Sequence, residues 1–177
     1  DRAAFAVGLG LQQVNLSGHR NTADRDIFDT LDLPNVRSLL TFDGRAVEAR
    51  IRRLPWVATA EIQRIVPGQV EIRITERTPS AVWRNGGREH LIDATGRVLT
   101  AIPTGSAPSL PRVAGAAANV EADRILAAVA GYGDIAGRLE SAERIGERRW
   151  SLRLAQGPRV QLPAEQPEAA LDELSRR

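Results

Sequence analysis

Residues 55–96 read PWVATAEIQRIVPGQVEIRITERTPSAVWRNGGREHLIDATG. Ala60 and Ile62 point one way, and Thr59, Glu61 and Gln63 the other. After Pro67-Gly68, the residues Val70, Ile72 and Ile74 alternate with Glu71, Arg73 and Thr75. A period of two marks strands with one buried face. Pro-Gly predicts a turn with positive φ at its second centre. Pro79 marks a boundary. Beyond it Ala81 to Arg84 lead to Asn85-Gly86-Gly87, a hairpin signal, and Asp93-Ala94-Thr95-Gly96 closes a further turn.

Working back toward the N-terminus, Val47, Ile51 and Leu54 hold the i, i+4, i+7 spacing of one helical stripe. Asp43 is a good N-cap and Pro55 a stop. Arg45, Arg50, Arg52 and Arg53 lie mostly off that stripe and form a solvated face. Asn21 or Thr22 can cap an earlier helix carrying Ile27, Phe28 and Leu31, which Pro34 keeps short. Residues 11–16 form a strand ending at the Ser17-Gly18-His19 turn. The order over 11–78 is therefore β-α-α-β-β, a three-stranded mixed sheet with two helices.

Forward of the opening stretch, period two dominates. Residues 103–119 read as a surface loop rich in Pro, Gly, Ala and Ser. Asn119 is placed to cap a helix bearing Ile125, Leu126 and Val129, stopped by Gly131 and Gly133. Strands are expected at 142–145, 149–154 and 159–162. A last helix runs over 166–177, with Ala170, Leu171 and Leu174 on one side. Residues 79–177 thus make a mainly antiparallel β domain with one or two helices, and the fold class is α+β.

Composition narrows the function. The chain has 177 residues, 42% of them hydrophobic and 26% charged, ordinary for a globular protein. No run of 18 apolar residues is present, the length a spanning helix requires. All 24 basic residues are Arg. The sequence pI of about 10.2 reflects the near-absence of groups titrating between neutral pH and Arg, since the net charge is only +2. Residues 1–78 carry 11 Arg against 10 acids, and 79–177 carry 13 against 12. Neither part is basic enough to favour nucleic acid.

Catalytic patterns are missing too. There is no Cys, and the two His, His19 and His90, sit beside turns as surface residues do. Neither a nucleophile elbow nor a phosphate loop exists; Gly8 and Gly10 lack the strand and third Gly of a dinucleotide loop. No metal, cofactor or catalytic residue is expected, and Trp56, Trp83 and Trp150 read as core rather than as a stacking platform.

Several stretches, in order, resemble one family. Val14-Asn15-Leu16-Ser17-Gly18, then Pro55-Trp56-Val57, Ala60, Arg64, Pro67 and Glu76-Arg77-x-Pro79 look like a POTRA domain. Ala81-x-Trp83 and Leu91-Ile92-Asp93-x-x-Gly96, with Leu110-Pro111-x-Val113-x-Gly115, Arg149-Trp150 and Val160-x-Leu162-Pro163, are similar to the β domain that follows it in the FtsQ/DivIB cell-division family. Gly18, Pro55, Trp56, Ala60, Pro67, Arg77, Pro79, Trp83, Asp93, Gly96, Trp150 and Pro163 then read as fold-determining residues.

The resemblance implies a divisome scaffold without catalysis, on the periplasmic side of the bacterial inner membrane at the division septum. One membrane helix would anchor it, and its partners would be FtsB, FtsL, FtsK, FtsW and FtsI. A contact surface on the POTRA hairpin would include Thr59, Ile62, Arg64 and Glu76. Residues 1–10 would be a lead segment after a missing anchor, since a reading frame starts with Met and this chain starts at Asp1. In the family a strand pair follows the last helix and receives FtsB, so that site is expected to be largely missing here. The alternatives are a POTRA module of an outer-membrane assembly or secretion protein, an Arg-based nucleic-acid binder, and a hydrolase with an unusual site.

Overall fold

The structure is a computed structural model that describes residues 2–6, 11–32, 42–157, 159–163 and 167–175. Pro34, Gly8, Gly10 and Gln166 lie outside the described residues. The chain divides into two compact units, Asp1–Arg77 and Thr78–Arg177. Among the described residues no helix is long and apolar enough to cross a membrane.

The first unit holds β1 (Arg2–Ala6), β2 (Gln13–Ser17), α1 (Asp24–Leu31), α2 (Gly44–Ile51), β3 (Val57–Ile65) and β4 (Gln69–Glu76). Its sheet runs β1-β2-β4-β3. Strand β2 is parallel to β4, and β3 is antiparallel to it. This is the expected three-stranded mixed sheet with two helices. Strand β1 adds a fourth member, antiparallel to β2, where sequence reasoning had assigned no element.

Alternation decides what is buried. Val14, Leu16, Val70, Ile72 and Ile74 meet Ile27 and Leu31 of α1 and Val47 and Ile51 of α2 in one core. Each such aliphatic side chain removed from water contributes roughly 1.5–3 kcal/mol. The Asp43 cap is as expected, its Oδ1 accepting from the N–H groups of Arg45 and Ala46, each at 3.1 Å. The α1 cap is not. Its N-cap position is Ala23, without a side-chain bond, because Asn21 and Thr22 are engaged elsewhere. The β3–β4 turn also departs from expectation. It passes through a cis Val66–Pro67 peptide, and Gly68 is not among the positive-φ residues. His19 corrects a further expectation. It is 6% exposed rather than on the surface, with Nε2 2.5 Å from Asp24 Oδ1.

The second unit holds β5 (Ala81–Asn85), β6 (Arg88–Ile92), β7 (Val98–Ile102), β8 (Arg112–Ala114), β9 (Leu139–Ile145), β10 (Arg149–Leu154) and β11 (Arg159–Leu162). They form one sheet ordered β11-β10-β9-β8-β5-β6-β7. All its neighbours are antiparallel except β5–β8 and β8–β9. Helices α3 (Ala122–Ala130) and α5 (Pro167–Ser175), with the single turn α4 (Gly133–Ala136), pack on one face. Ile125, Val129, Ile135 and Leu171 there meet Ala81, Val113, Ala142, Trp150 and Leu152.

Strand β8 lies inside the stretch read as a loop. Three residues are too few to show a period. Its pairing is framed instead by Val82 N–H on the Pro111 carbonyl (2.8 Å) and Gly115 N–H on the Arg84 carbonyl (3.1 Å). Asn119 does not cap α3. Its Nδ2 donates to the Gly96 carbonyl at 2.8 Å, and the N-cap is Glu121. Gly133 opens α4 rather than stopping α3.

Candidate functional site

Strand β3 ends the sheet of the first unit, so along one side it pairs with β4 and along the other with no strand among the described residues. An edge of this kind presents N–H and C=O groups that another chain can take up. A register shift between Val57 and Thr59 interrupts its start, Ala60 and Ile62 then alternate inward, and the pattern fades toward Ile65, where Gln63, Arg64 and Ile65 are all exposed. Val66, at the tip of the hairpin, is 83% exposed.

The four expected contact residues do not form one patch. Thr59 is exposed on the side of the sheet away from the helices, paired across to Thr75. Ile62 and Arg64 lie on the helix side. Ile62 packs half-buried against the core, and Arg64 Nη1 donates to the Phe42 carbonyl at 3.4 Å. Together with Asp43, Gly44 and Glu48 they line a shallow hollow. Glu76 stands at the far end of β4, opposite Val57.

Glu76 is occupied by the fold. Its carboxylate accepts from the N–H groups of Arg20 (3.0 Å), Asn21 (3.0 Å) and Thr22 (2.7 Å). The Thr22 hydroxyl (2.8 Å) and Asn21 Nδ2 (2.9 Å) add two more bonds. Burial alone would raise this carboxyl, but the donors outweigh it and hold its pKa down at about 2. The same bonds explain why Asn21 and Thr22 leave α1 uncapped.

The remaining motif residues hold turns and strands. Gly18 has φ of +88°, and a Cβ there would stand 2.0 Å from the Ile74 carbonyl oxygen, so only glycine fits. Arg77 Nε donates to the Val57 carbonyl (3.0 Å), and its N–H to that of Trp56 (2.7 Å). Trp83 Nε1 donates to the Gly115 carbonyl at 2.9 Å. Asp93 Oδ1 accepts from the N–H groups of Thr95 (2.9 Å) and Arg97 (3.0 Å) in the turn that ends at Gly96. Ala60 and Trp150 are buried, Trp56 and Pro79 half-buried, and Pro55, Pro67 and Pro163 exposed. Among the described residues no group of His, Asp or Glu could hold a metal ion.

Sequence reasoning missed the buried Glu89 and its partner Arg112, joined at 3.1 Å across two strands. Glu89 sits on the face of β6 away from the helices, and its partner lies on β8, the strand that showed no period.

Comparison with known proteins places both units. Residues 9–77 match the family model for the FtsQ-type POTRA domain, and residues 81–176 match that for the C-terminal part of cell division protein FtsQ/DivIB. Cell division protein FtsQ of Caulobacter vibrioides strain NA1000 is 38% identical over 98% of this chain and 58% of its own length. That of Bartonella bacilliformis is 32% identical over 88% of this chain and 51% of its own. The chain therefore spans a little over half the length of these relatives. The major extracytoplasmic domain of DivIB from Geobacillus stearothermophilus is 19% identical over 55% of this chain and 87% of its own, with a TM-score of 0.35.

Proposed function

The chain belongs to the FtsQ/DivIB family of bacterial cell-division proteins, and from that premise we propose that it is a non-catalytic divisome scaffold. It links early and late division proteins at the septum, on the periplasmic side of the inner membrane. Its partners in this reading are FtsB, FtsL, FtsK, FtsW and FtsI. The observation that carries the contact surface is the side of β3 on which no strand pairs among the described residues, at the end of its sheet. A strand added there would gain main-chain hydrogen bonds, with side chains at alternate positions choosing the partner.

Thr59, Ile62 and Arg64 are the contact residues of this proposal, on or beside that edge. Glu76 supports the edge only indirectly, by holding the turn at 20–22. The match of 81–176 to the C-terminal FtsQ/DivIB model weighs against an outer-membrane assembly or secretion module. The test is Arg64→Glu in the full-length protein fused to a fluorescent reporter. Septal recruitment should fall at least severalfold while the circular dichroism spectrum of the purified variant stays unchanged. Normal recruitment of the folded variant rejects the edge as the contact.

A further inference from the structure

The second unit carries its helices on one face of the sheet, and the other face holds a cleft of about 190 Å³ above β8. Strand β8 is short, and the open-face positions around it are small: Ala114 on β8 and Ser141 on β9 form the floor. Arginines rise on either side. Arg84 on β5 pairs across to Ala114, and Arg153 on β10 pairs across to Ser141. Strands β5 and β10 are separated by three strand spacings, about 14 Å, so both side chains can reach inward over the same floor.

Charge distinguishes these two from their neighbour. Arg112 also lines the cleft, but it is matched by Glu89, whose carboxylate accepts from Arg112 Nη1 (3.1 Å) and from the Gly105 N–H (3.4 Å). Among the described residues, the guanidiniums of Arg84 and Arg153 have neither an ion-pair nor a hydrogen-bond partner. Glu140 is the other carboxylate that lines the cleft. The cleft thus holds three guanidiniums against two carboxylates, one of them already taken. A guanidinium prefers a planar oxyanion that it can bind through two parallel N–H bonds.

We propose that this cleft binds an acidic, extended segment of another protein, with Arg84 and Arg153 gripping its carboxylates above the Ala114–Ser141 floor. The site lies wholly in the second unit and is separate from the β3 edge, so it stands or falls independently of it.

The test is a nuclear magnetic resonance titration of the isotope-labelled chain with an acetylated, amidated octapeptide of alternating Glu and Ala. Its Gln-for-Glu counterpart is the control, and vesicles of anionic phospholipid are a separate arm. Saturable shifts at the amides of 82–84, 112–114, 139–141 and 151–153 are expected with the Glu peptide alone, weakening as salt is raised. Arg84→Gln with Arg153→Gln should weaken binding by about tenfold or more and leave the remaining resonances in place. Absent or scattered shifts, equal binding of the Gln peptide, or indifference to the double variant overturns the proposal. A response to vesicles without one to the peptide also overturns it.

Discussion

In the first unit the carboxylate that family resemblance marked for a partner is consumed by the fold, whereas in the second two guanidiniums on an open sheet face have nothing to hold. Glu76 takes three main-chain N–H groups, a hydroxyl and an amide. In the proposed reading the first unit offers the β3 edge, with Thr59, Ile62 and Arg64 on or beside it. The second unit spends Glu89 on Arg112 and on the 103–110 loop, and Arg84 and Arg153 are left exposed beside it. The contrast teaches that a sheet can recruit partners in two ways. A free edge gives affinity through main-chain bonds, and a charged face gives selection through side chains.

Three substitutions press on that contrast. Gly18→Val has the largest effect. Its left-handed backbone and the Ile74 carbonyl leave no room for a side chain, so the first unit should lose about 3 kcal/mol or more. Hydrogen exchange should then show fast amides in β2 and β4 with β10 still protected. Equal loss in both units would mean that they do not behave as separate bodies.

Glu76→Gln comes next, at about 2 kcal/mol, because one charge satisfies several donors. It also predicts a pH dependence. The folded pKa of about 2 lies below the 4.5 of a free glutamate, so the native state favours the ionised form. The stabilisation is complete above about pH 4.5 and is lost as pH falls toward 2. Urea midpoints of the parent should decline across that window, and those of the variant should decline less. Parallel declines would place the acid sensitivity elsewhere.

The smallest effect belongs to Glu61→Gln. Glu61 and Arg73 face each other across β3 and β4 at 3.9 Å, both largely exposed. Thermal unfolding should change by under about 0.5 kcal/mol. A larger loss would show that side chains, rather than backbone pairing, hold the β3 edge.

Much of this fold can be read from local pattern. Val70, Ile72 and Ile74 alternate, Asp43 caps α2, and Gly86 and Gly87 turn the β5–β6 hairpin with φ of +56° and +81°. Each of these depends on residues within a few positions of one another. What escaped depends on distant partners. Asn21 and Thr22 look like caps until a carboxylate more than 50 positions away claims them. Asn119 is drawn off by the carbonyl of Gly96, and β8 exists because β5 and β9 flank it. The open-face cleft escaped for the same reason. Arg84 comes over the same floor as Ser141 and Arg153 only because β8 joins β5 to β9.

The placement of Glu76 also bears on force. Arg2 of β1 lies opposite Ser17, and Ser17 lies beside Arg73 of β4. The chain therefore enters and leaves the first sheet at the same end. Tension applied between Arg2 and Arg77 would peel strands apart a few bonds at a time, since the ladder bonds lie across the strands rather than along them. The Glu76 knot sits at that end, where such a load arrives first, and works as a rivet at the mouth of a zip.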